Sequence, residues 1–311
     1  MSRKTVFAVA QMGPIHLNDT KKATVARLIE MLREAHGRGA RWVTFPELAL
    51  TTFFPRYVYD DPSEYDHFYE EGLPSQAMVP LFEEAKRLGV GFYLGYAEKV
   101  TEAGTVHRFN TSVLISPKGE LLGKYRKIHL PGTKDPIGDP EFEHLEKRYF
   151  EVGDLGFPVF KSEVGRIGMC ICNDRRWPET FRVMALRGAE IFMLGYNTPT
   201  RNIHHVEPVH LREHHNRLSL ESAAYQNGAW LMAAGKCGSE DGFTMIGGSA
   251  IVAPTGETVT RAVTEGDEVI SYNCDLALGE YIRRSVFNFA KHRRIEHYGP
   301  ITAQTGVEIE E

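Results

Sequence analysis

Cys172 stands where a cysteine can do chemistry. It follows the apolar run Arg166–Ile171 and opens the polar turn Asn173-Asp174-Arg175-Arg176, with Pro178 suited to the first position of a helix. A thiol at a strand end faces the crevice above a sheet, where nearby amides and a helix N-terminus favour its thiolate. A lone cysteine is more commonly a small buried hydrophobe, which is how Cys170 reads two residues earlier. For Cys172 the residues alone leave both readings open. A cysteine nucleophile needs a base. Thr44-Phe45-Pro46-Glu47 ends another apolar run with a carboxylate at its rim, although such glutamates are often idle. Lys127 lies in Gly123-Lys124-Tyr125-Arg126-Lys127-Ile128-His129. That segment is either a solvated basic strand edge or, with Lys127 and His129 turned inward, the source of an ammonium for an oxyanion.

These residues must be positioned by the elements around them. Period and composition predict strands at Thr5–Ala10, Trp42–Phe45, Val90–Tyr96, Ser112–Ser116, Arg166–Ile171, Glu190–Tyr196, Ala229–Ala234, Ser249–Ala253 and Glu268–Asn273. They predict helices at Lys21–His36, Val79–Arg87, Glu179–Arg187, Pro208–Gln226 and Leu276–Asn288. Strand-then-helix alternation means an α/β architecture with helices covering sheet faces.

The chain also repeats itself. Arg38-Gly39-Ala40 recurs as Arg187-Gly188-Ala189, each leading into a strand. Gly91-Phe92-Tyr93-Leu94 corresponds to Gly228-Ala229-Trp230-Leu231, and Ser112-Val113-Leu114-Ile115-Ser116-Pro117 to Ser249-Ala250-Ile251-Val252-Ala253-Pro254. The last two pairs share an offset of 137 residues (91 to 228, 112 to 249) and the first is 149 apart. Two similar halves are expected, with sheets face to face and helices outside, although pattern alone also allows one continuous sheet. The repeat pairs the strand before Glu47 with the one ending at Tyr196-Asn197, which makes Glu47 a plausible site carboxylate.

Composition narrows the classes of function. Seventeen Phe, 13 Tyr and 3 Trp in 311 residues supply a large core and argue against disorder. A formal charge of -5 argues against a general nucleic-acid binder. Apolar runs such as Ile191–Leu194 are strand-sized, and Val6–Ala10 is too short for a signal peptide, so it reads as a first core strand. Four cysteines without a C-x-x-C pair suit a reduced, cytoplasmic protein. Nothing reads as a linker, so one domain over residues 1–311 is expected, with a C-terminal tail from about residue 299.

Taken together, Phe-Pro-Glu at Glu47, Tyr-Arg-Lys at Lys127 and Cys-Asn-Asp at Cys172 resemble the Glu-Lys-Cys triad of the nitrilase-like carbon–nitrogen hydrolase family. The resemblance runs from Ala8-Val9-Ala10-Gln11 to the Asp275 region and implies a four-layer α-β-β-α sandwich. Within the family the likeness is closest to N-carbamoyl-D-amino acid amidohydrolases. It rests on Glu47–Arg56, His144–Phe150, Cys172–Glu179, Gly195–Pro199 and Tyr225–Trp230, and is weaker over 201–213 and after Tyr298.

The resemblance implies Glu47 as general base, Cys172 as nucleophile and Lys127 on the oxyanion, with Glu146 as the family's second glutamate. It places Asn173, His144, Asn197 and Thr198 in the pocket and His129 and His215 in its hydrogen-bond network. Arg175 and Arg176 suit a substrate carboxylate, because a guanidinium binds one through two parallel hydrogen bonds. An arginine pair at a helix start is otherwise a surface feature. The implied partner is a small carboxylate-bearing carbamoyl compound, with no cofactor, metal, nucleic acid or membrane, in a homo-oligomer (dimer or tetramer). A β-ureidopropionase or another amidase of the family is the alternative. The main rival by motif is His210-Leu211-Arg212-Glu213-His214, an H-x-x-E-H pattern beside His204, His205 and His215. It would put two zinc ligands on one helix face, with no evident third.

Overall fold

The computed structural model describes residues 3–139, 143–201 and 208–309. The first half contributes β1 (Lys4–Gln11), β2 (Trp42–Thr44), β3 (Gly91–Glu102), β4 (Thr105–Ile115) and β5 (Leu121–Arg126). The second contributes β6 (Val159–Lys161), β7 (Arg166–Ile171), β8 (Ile191–Tyr196) and β9 (Trp230–Gly235). A hairpin of β10 (Cys237–Glu240) and β11 (Phe243–Ile246) precedes β12 (Ala250–Val252), β13 (Thr258–Arg261) and β14 (Glu268–Asp275). Helices α1 (Lys21–Gly37), α2 (Pro62–Tyr65), α3 (Val79–Leu88) and α4 (Glu146–Tyr149) belong to the first half. They are followed by α5 (Pro178–Leu186), α6 (Val209–Asn227), α7 (Leu276–Arg284), α8 (Phe289–His292) and α9 (Gly299–Ala303).

One sheet runs β14-β1-β2-β3-β4-β5 and the other, read from its far edge, β6-β7-β8-β9-β12-β13. Each has an antiparallel edge strand, three parallel strands, then two antiparallel ones. The repeat therefore maps strand on strand: β2 onto β8, β3 onto β9, β4 onto β12. The Arg-Gly-Ala pair has the larger offset because the β2–β3 connection is longer than the β8–β9 connection.

Alternation along β1 sorts the layers. Phe7 and Val9 share a core with Trp42, Tyr93, Ile167, Met169 and Met193, between the sheets. Ala8 and Ala10 face the other way, against Val25, Leu28, Leu32 and Ala35 of α1 and Leu81 and Ala85 of α3. Those α1 residues recur at helical spacing, and Thr20 caps the helix by accepting the Ala23 N–H at 3.2 Å. On the second sheet Phe181 and Met184 of α5 and Leu220 and Ala224 of α6 play the same part. The result is the expected four-layer α-β-β-α sandwich.

The elements depart from expectation mainly where polar residues hide a strand. β3 and β4 outrun their predicted ends as a long hairpin turning at Ala103-Gly104, both at positive φ. Its outer part carries Glu98, Lys99, Glu102 and Arg108, whose ion pairs replace an apolar face. β6, β10, β11 and β13 are too short for period-two alternation to register. The helix predicted to Asn288 stops at Arg284, since Ser285 leaves helical geometry.

Candidate active site

Five strands end at one rim. Parallel pairing sends β2, β7, β8 and β9 in one direction within their sheets, and β5 shares the direction of β3 across β4. Lys127, Cys172, Asn197 and Lys236 are each the first residue beyond a strand, and Glu47 is three beyond β2. Carboxyl ends of strands are where open α/β sheets place their ligands.

Glu47, Lys127 and Glu146 are fully buried and bonded to one another. The Lys127 ammonium donates to Glu47 Oε1 at 2.8 Å and to Glu146 Oε2 at 2.6 Å. Asn110 Nδ2 adds a bond to Glu47 Oε1 at 2.7 Å, and the Asn197 N–H binds Oε2 at 2.8 Å. His144 Nε2 meets Glu146 Oε1 at 3.1 Å. Burial works against both carboxylates, but unequally. It raises the Glu47 pKa despite Lys127, with Glu146 adding to the rise. At Glu146 the charge of Lys127 and the His144 bond outweigh burial and hold the carboxyl below its usual range. Burial also opposes the Lys127 charge, but the two glutamates overcome it and keep the ammonium protonated. Two carboxyls with proton affinities pushed apart form an acid–base arrangement.

Cys172 leaves β7 at φ 48°, a left-handed turn costly for a residue with a side chain. Asp174, fully buried, braces that turn. It accepts from the Ile171 N–H at 2.9 Å, Tyr125 Oη at 2.7 Å and the His129 N–H at 3.0 Å, and contacts His129 Nδ1 at 2.8 Å. Arg175 reinforces it from below, donating to the Cys172 carbonyl at 2.7 Å, to Thr198 Oγ1 at 2.8 Å and towards the sulfur at 3.7 Å. The Cys172 thiol donates to the Asn197 carbonyl at 3.3 Å. The turn was expected to favour a thiolate, and here the structure corrects the sequence reading. Burial pushes the thiol up to about 11, with the charge of Glu47 adding to it and Lys127 and Arg175 opposing. The resting sulfur is protonated.

Most of the expected site residues converge here. Asn173 donates to the His129 carbonyl at 3.1 Å, and His129 stacks on Trp177 at 5.0 Å. Asn197 holds both Glu47, also through its Nδ2 on the Glu47 carbonyl at 2.9 Å, and Cys172. Arg176 is half-buried next to Arg175, and His215 is half-buried on α6. Neither bonds directly to Glu47, Lys127, Glu146 or Cys172. Sequence reasoning gave no role to Asp174, Asn110, Lys236 or Glu240. Asp174 had a signal, being an acceptor two residues past a strand-end cysteine. The others gave no sign of a role, because the first-half groups they hold, Glu47 for Asn110 and Ile15, Thr51 and Phe53 for Lys236 and Glu240, are remote from them in sequence.

His210 and His214 lie on α6 and line a separate cavity of about 560 Å³ with Glu213 and Arg217. His204 and His205 lie outside the described residues. Among the described residues no group of three or more His, Cys, Asp or Glu could hold a metal ion. Among them also, no helix is long and apolar enough to cross a membrane.

The fold and what it resembles describe a hydrolase of carbon–nitrogen bonds. The chain belongs to the carbon-nitrogen hydrolase family, whose sequence pattern matches residues 7–284. It is 30% identical to a nitrilase of Pyrococcus abyssi over 94% of this chain and 98% of that one. It is 31% identical to an N-carbamoylputrescine amidase of Arabidopsis thaliana, over 93% of each. A citrullinase of Francisella tularensis is 27% identical over 94% of this chain and 96% of its own. Among solved structures, a carbon-nitrogen hydrolase from Helicobacter pylori G27 matches with a TM-score of 0.80 at 25% identity, over 96% and 98% of the two chains. None of these four is named as an N-carbamoyl-D-amino acid amidohydrolase, so the narrower likeness rests on this chain's own motifs.

Proposed function

We propose that the protein hydrolyses the carbamoyl C–N bond of N-carbamoyl-D-amino acids to D-amino acid, carbon dioxide and ammonia. The observation that carries the reading is the buried Lys127 between Glu47 and Glu146, beside a sulfur flanked by Arg175. Glu47 takes the thiol proton as the sulfur attacks the carbamoyl carbon, so ionisation and attack are coupled. Lys127 and a backbone N–H near Asn173 stabilise the oxyanion. Collapse breaks the bond to the terminal nitrogen, which leaves as ammonia with a proton returned by Glu47. Water then cleaves the S-carbamoyl enzyme, and the released carbamate loses carbon dioxide to give the amino acid. Glu146 positions the substrate and steadies Lys127.

Two features support a ureido substrate bearing a carboxylate. The relatives named for N-carbamoylputrescine and citrulline are named for compounds that carry a ureido group. The Arg175 guanidinium beside the sulfur favours an anion over the ammonium of carbamoylputrescine. Arg175 is committed to the Cys172 turn, and the sequence motif assigns the bidentate contact with the substrate carboxylate to the Arg175-Arg176 pair. Handedness comes from the motif likeness.

The test is ammonia release from matched N-carbamoyl-D- and L-amino acids, N-carbamoyl-β-alanine and N-carbamoylputrescine, with Cys172→Ala as the blank. The D-compounds should be turned over fastest and the variant should release nothing. Faster release from the β-alanine compound would reassign the protein as a β-ureidopropionase.

A further inference from the structure

We propose that Lys236 and Glu240 are a positioning pair, which clamps the Thr51–Phe53 segment and so sets Glu47 and His144 against the Cys172 half of the site. The inference rests on the role given above to Glu47. Both side chains are fully buried, and their charged groups lie 3.3 Å apart. The Lys236 ammonium also donates to the Thr51 carbonyl. The Glu240 carboxylate accepts from the Phe53 N–H, from Thr52 Oγ1 at 2.9 Å and from the Ile15 N–H at 3.0 Å. Arg56 closes the arrangement by donating to the Glu240 carbonyl.

One ion pair thus ties the second half, at the end of β9 and in β10, to two first-half segments that follow β1 and β2. Buried pairs are costly, and packed apolar residues in their place are often as stable or more so. What an apolar pair cannot do is satisfy buried backbone groups of a segment that has no ladder of its own. Thr51 C=O, Phe53 N–H and Ile15 N–H are such groups.

The clamped segment reaches both carboxylates on Lys127. It lies just beyond Glu47, across Leu48 at φ 46°. The Phe53 ring packs edge-on against His144, with centroids 5.3 Å apart, and His144 bonds Glu146. Pro55 accepts the Leu145 N–H at 2.6 Å, immediately before Glu146. A shift of the segment would move Glu47 through the chain and Glu146 through His144 and Leu145. The pair also acts through charge. Lys236 faces Glu240, Arg56 and Glu47, and Glu47 is faced in turn by Lys127, Glu146 and Cys172. Removing the Lys236 charge makes Glu47 hold its proton more tightly.

The experiment compares wild type with Lys236→Met, the double variant Lys236→Met/Glu240→Leu, and Thr52→Val. It reads kcat and KM across pH, the rate of Cys172 alkylation by iodoacetamide, and thermal unfolding. The double variant should stay folded but melt below wild type, because it leaves the Thr51, Phe53 and Ile15 backbone groups unbonded, and it should lose on the order of ten- to a hundredfold in kcat with little change in KM. In Lys236→Met the acid limb of kcat/KM should move to higher pH. A folded double variant with wild-type kcat and an unmoved acid limb would reduce the pair to structure and overturn the proposal. If the wild type fails to turn over carbamoyl compounds, the substrate reading fails and alkylation still decides the clamp. Slower alkylation in the folded variants upholds it, and an unchanged rate sinks it. Should the Lys236 variants not fold, Thr52→Val carries the test. A kcat lower by roughly two- to fivefold at constant KM supports the clamp, because loss of one hydrogen bond is worth about 1 kcal/mol. Wild-type kcat refutes it.

Discussion

Cys172 and Glu47 share one proton problem. In the resting site the thiol is pushed up to about 11 and the carboxyl is raised, so burial disfavours both anions. Thiolate absorbance in the ultraviolet should therefore grow only as the pH climbs towards about 11, and a substantial thiolate signal at neutral pH would contradict this. With Glu47 proposed as the base, kcat/KM should fall as the pH drops through its raised pKa, and Glu47→Gln should remove the activity together with that limb. Lys127 offers a second test. Without it, Glu47 and Glu146 are two buried carboxylates with no cation between them, and Lys127→Met should cost about 3–5 kcal/mol at neutral pH. The sign with pH should also reverse. In the wild type the lowered Glu146 contributes stability above its ordinary value of 4.5 that is lost on acidification. In the variant both carboxyls are raised, so protonation on acidification restores stability. Melting curves at several pH values will show whether the gap between the two proteins narrows towards acid.

The strand ends hold these residues, and two glycines let them approach. A Cβ on Gly95 of β3 would lie 2.7 Å from the Glu47 Cα, and one on Gly195 of β8 would lie 2.5 Å from the Glu47 nitrogen. The Pro46-Glu47 backbone therefore runs between a glycine of its own sheet and a glycine of the facing sheet. Gly195 is not at positive φ, so its substitution by alanine tests the contact rather than backbone strain. Gly195→Ala should cost about 1–3 kcal/mol through overpacking. By displacing Glu47 it should also reduce kcat by up to about a hundredfold. A variant destabilised that much but fully active would show that Glu47 tolerates the shift.

At the scale of the molecule, the layer between the sheets draws Phe7, Trp42 and Tyr93 from one half and Ile167, Met169 and Met193 from the other. Polar bonds cross the same layer, from Tyr93 Oη to the Cys170 carbonyl at 3.0 Å and from Tyr125 to Asp174. Neither half can unfold without exposing the other's inner face. Far- and near-ultraviolet circular dichroism should report one coincident transition, and separated transitions would mean that the halves are independently stable. Much of this was legible beforehand. Helices α1, α3, α5 and α6 declared themselves by apolar spacing, and the central strands by β-branched and aromatic runs. The doubling was visible because both halves reuse the same strand–turn phrases. The polar outer hairpin of β3 and β4 was not, since its cohesion comes from ion pairs to distant residues.

For the site, residue type left each candidate open, and only the ordered likeness to a family's motifs named Glu47, Lys127, Glu146 and Cys172, which the structure brings together. What they could not convey is how those groups share protons. That depends on complete burial and on partners such as Asn110, set beside Glu47 by strand pairing within one sheet, and Asn197, brought to it by stacking two sheets. The sulfur's protonation runs against the local pattern for this reason. A turn's amides act over a few residues, whereas desolvation is imposed by everything folded around them.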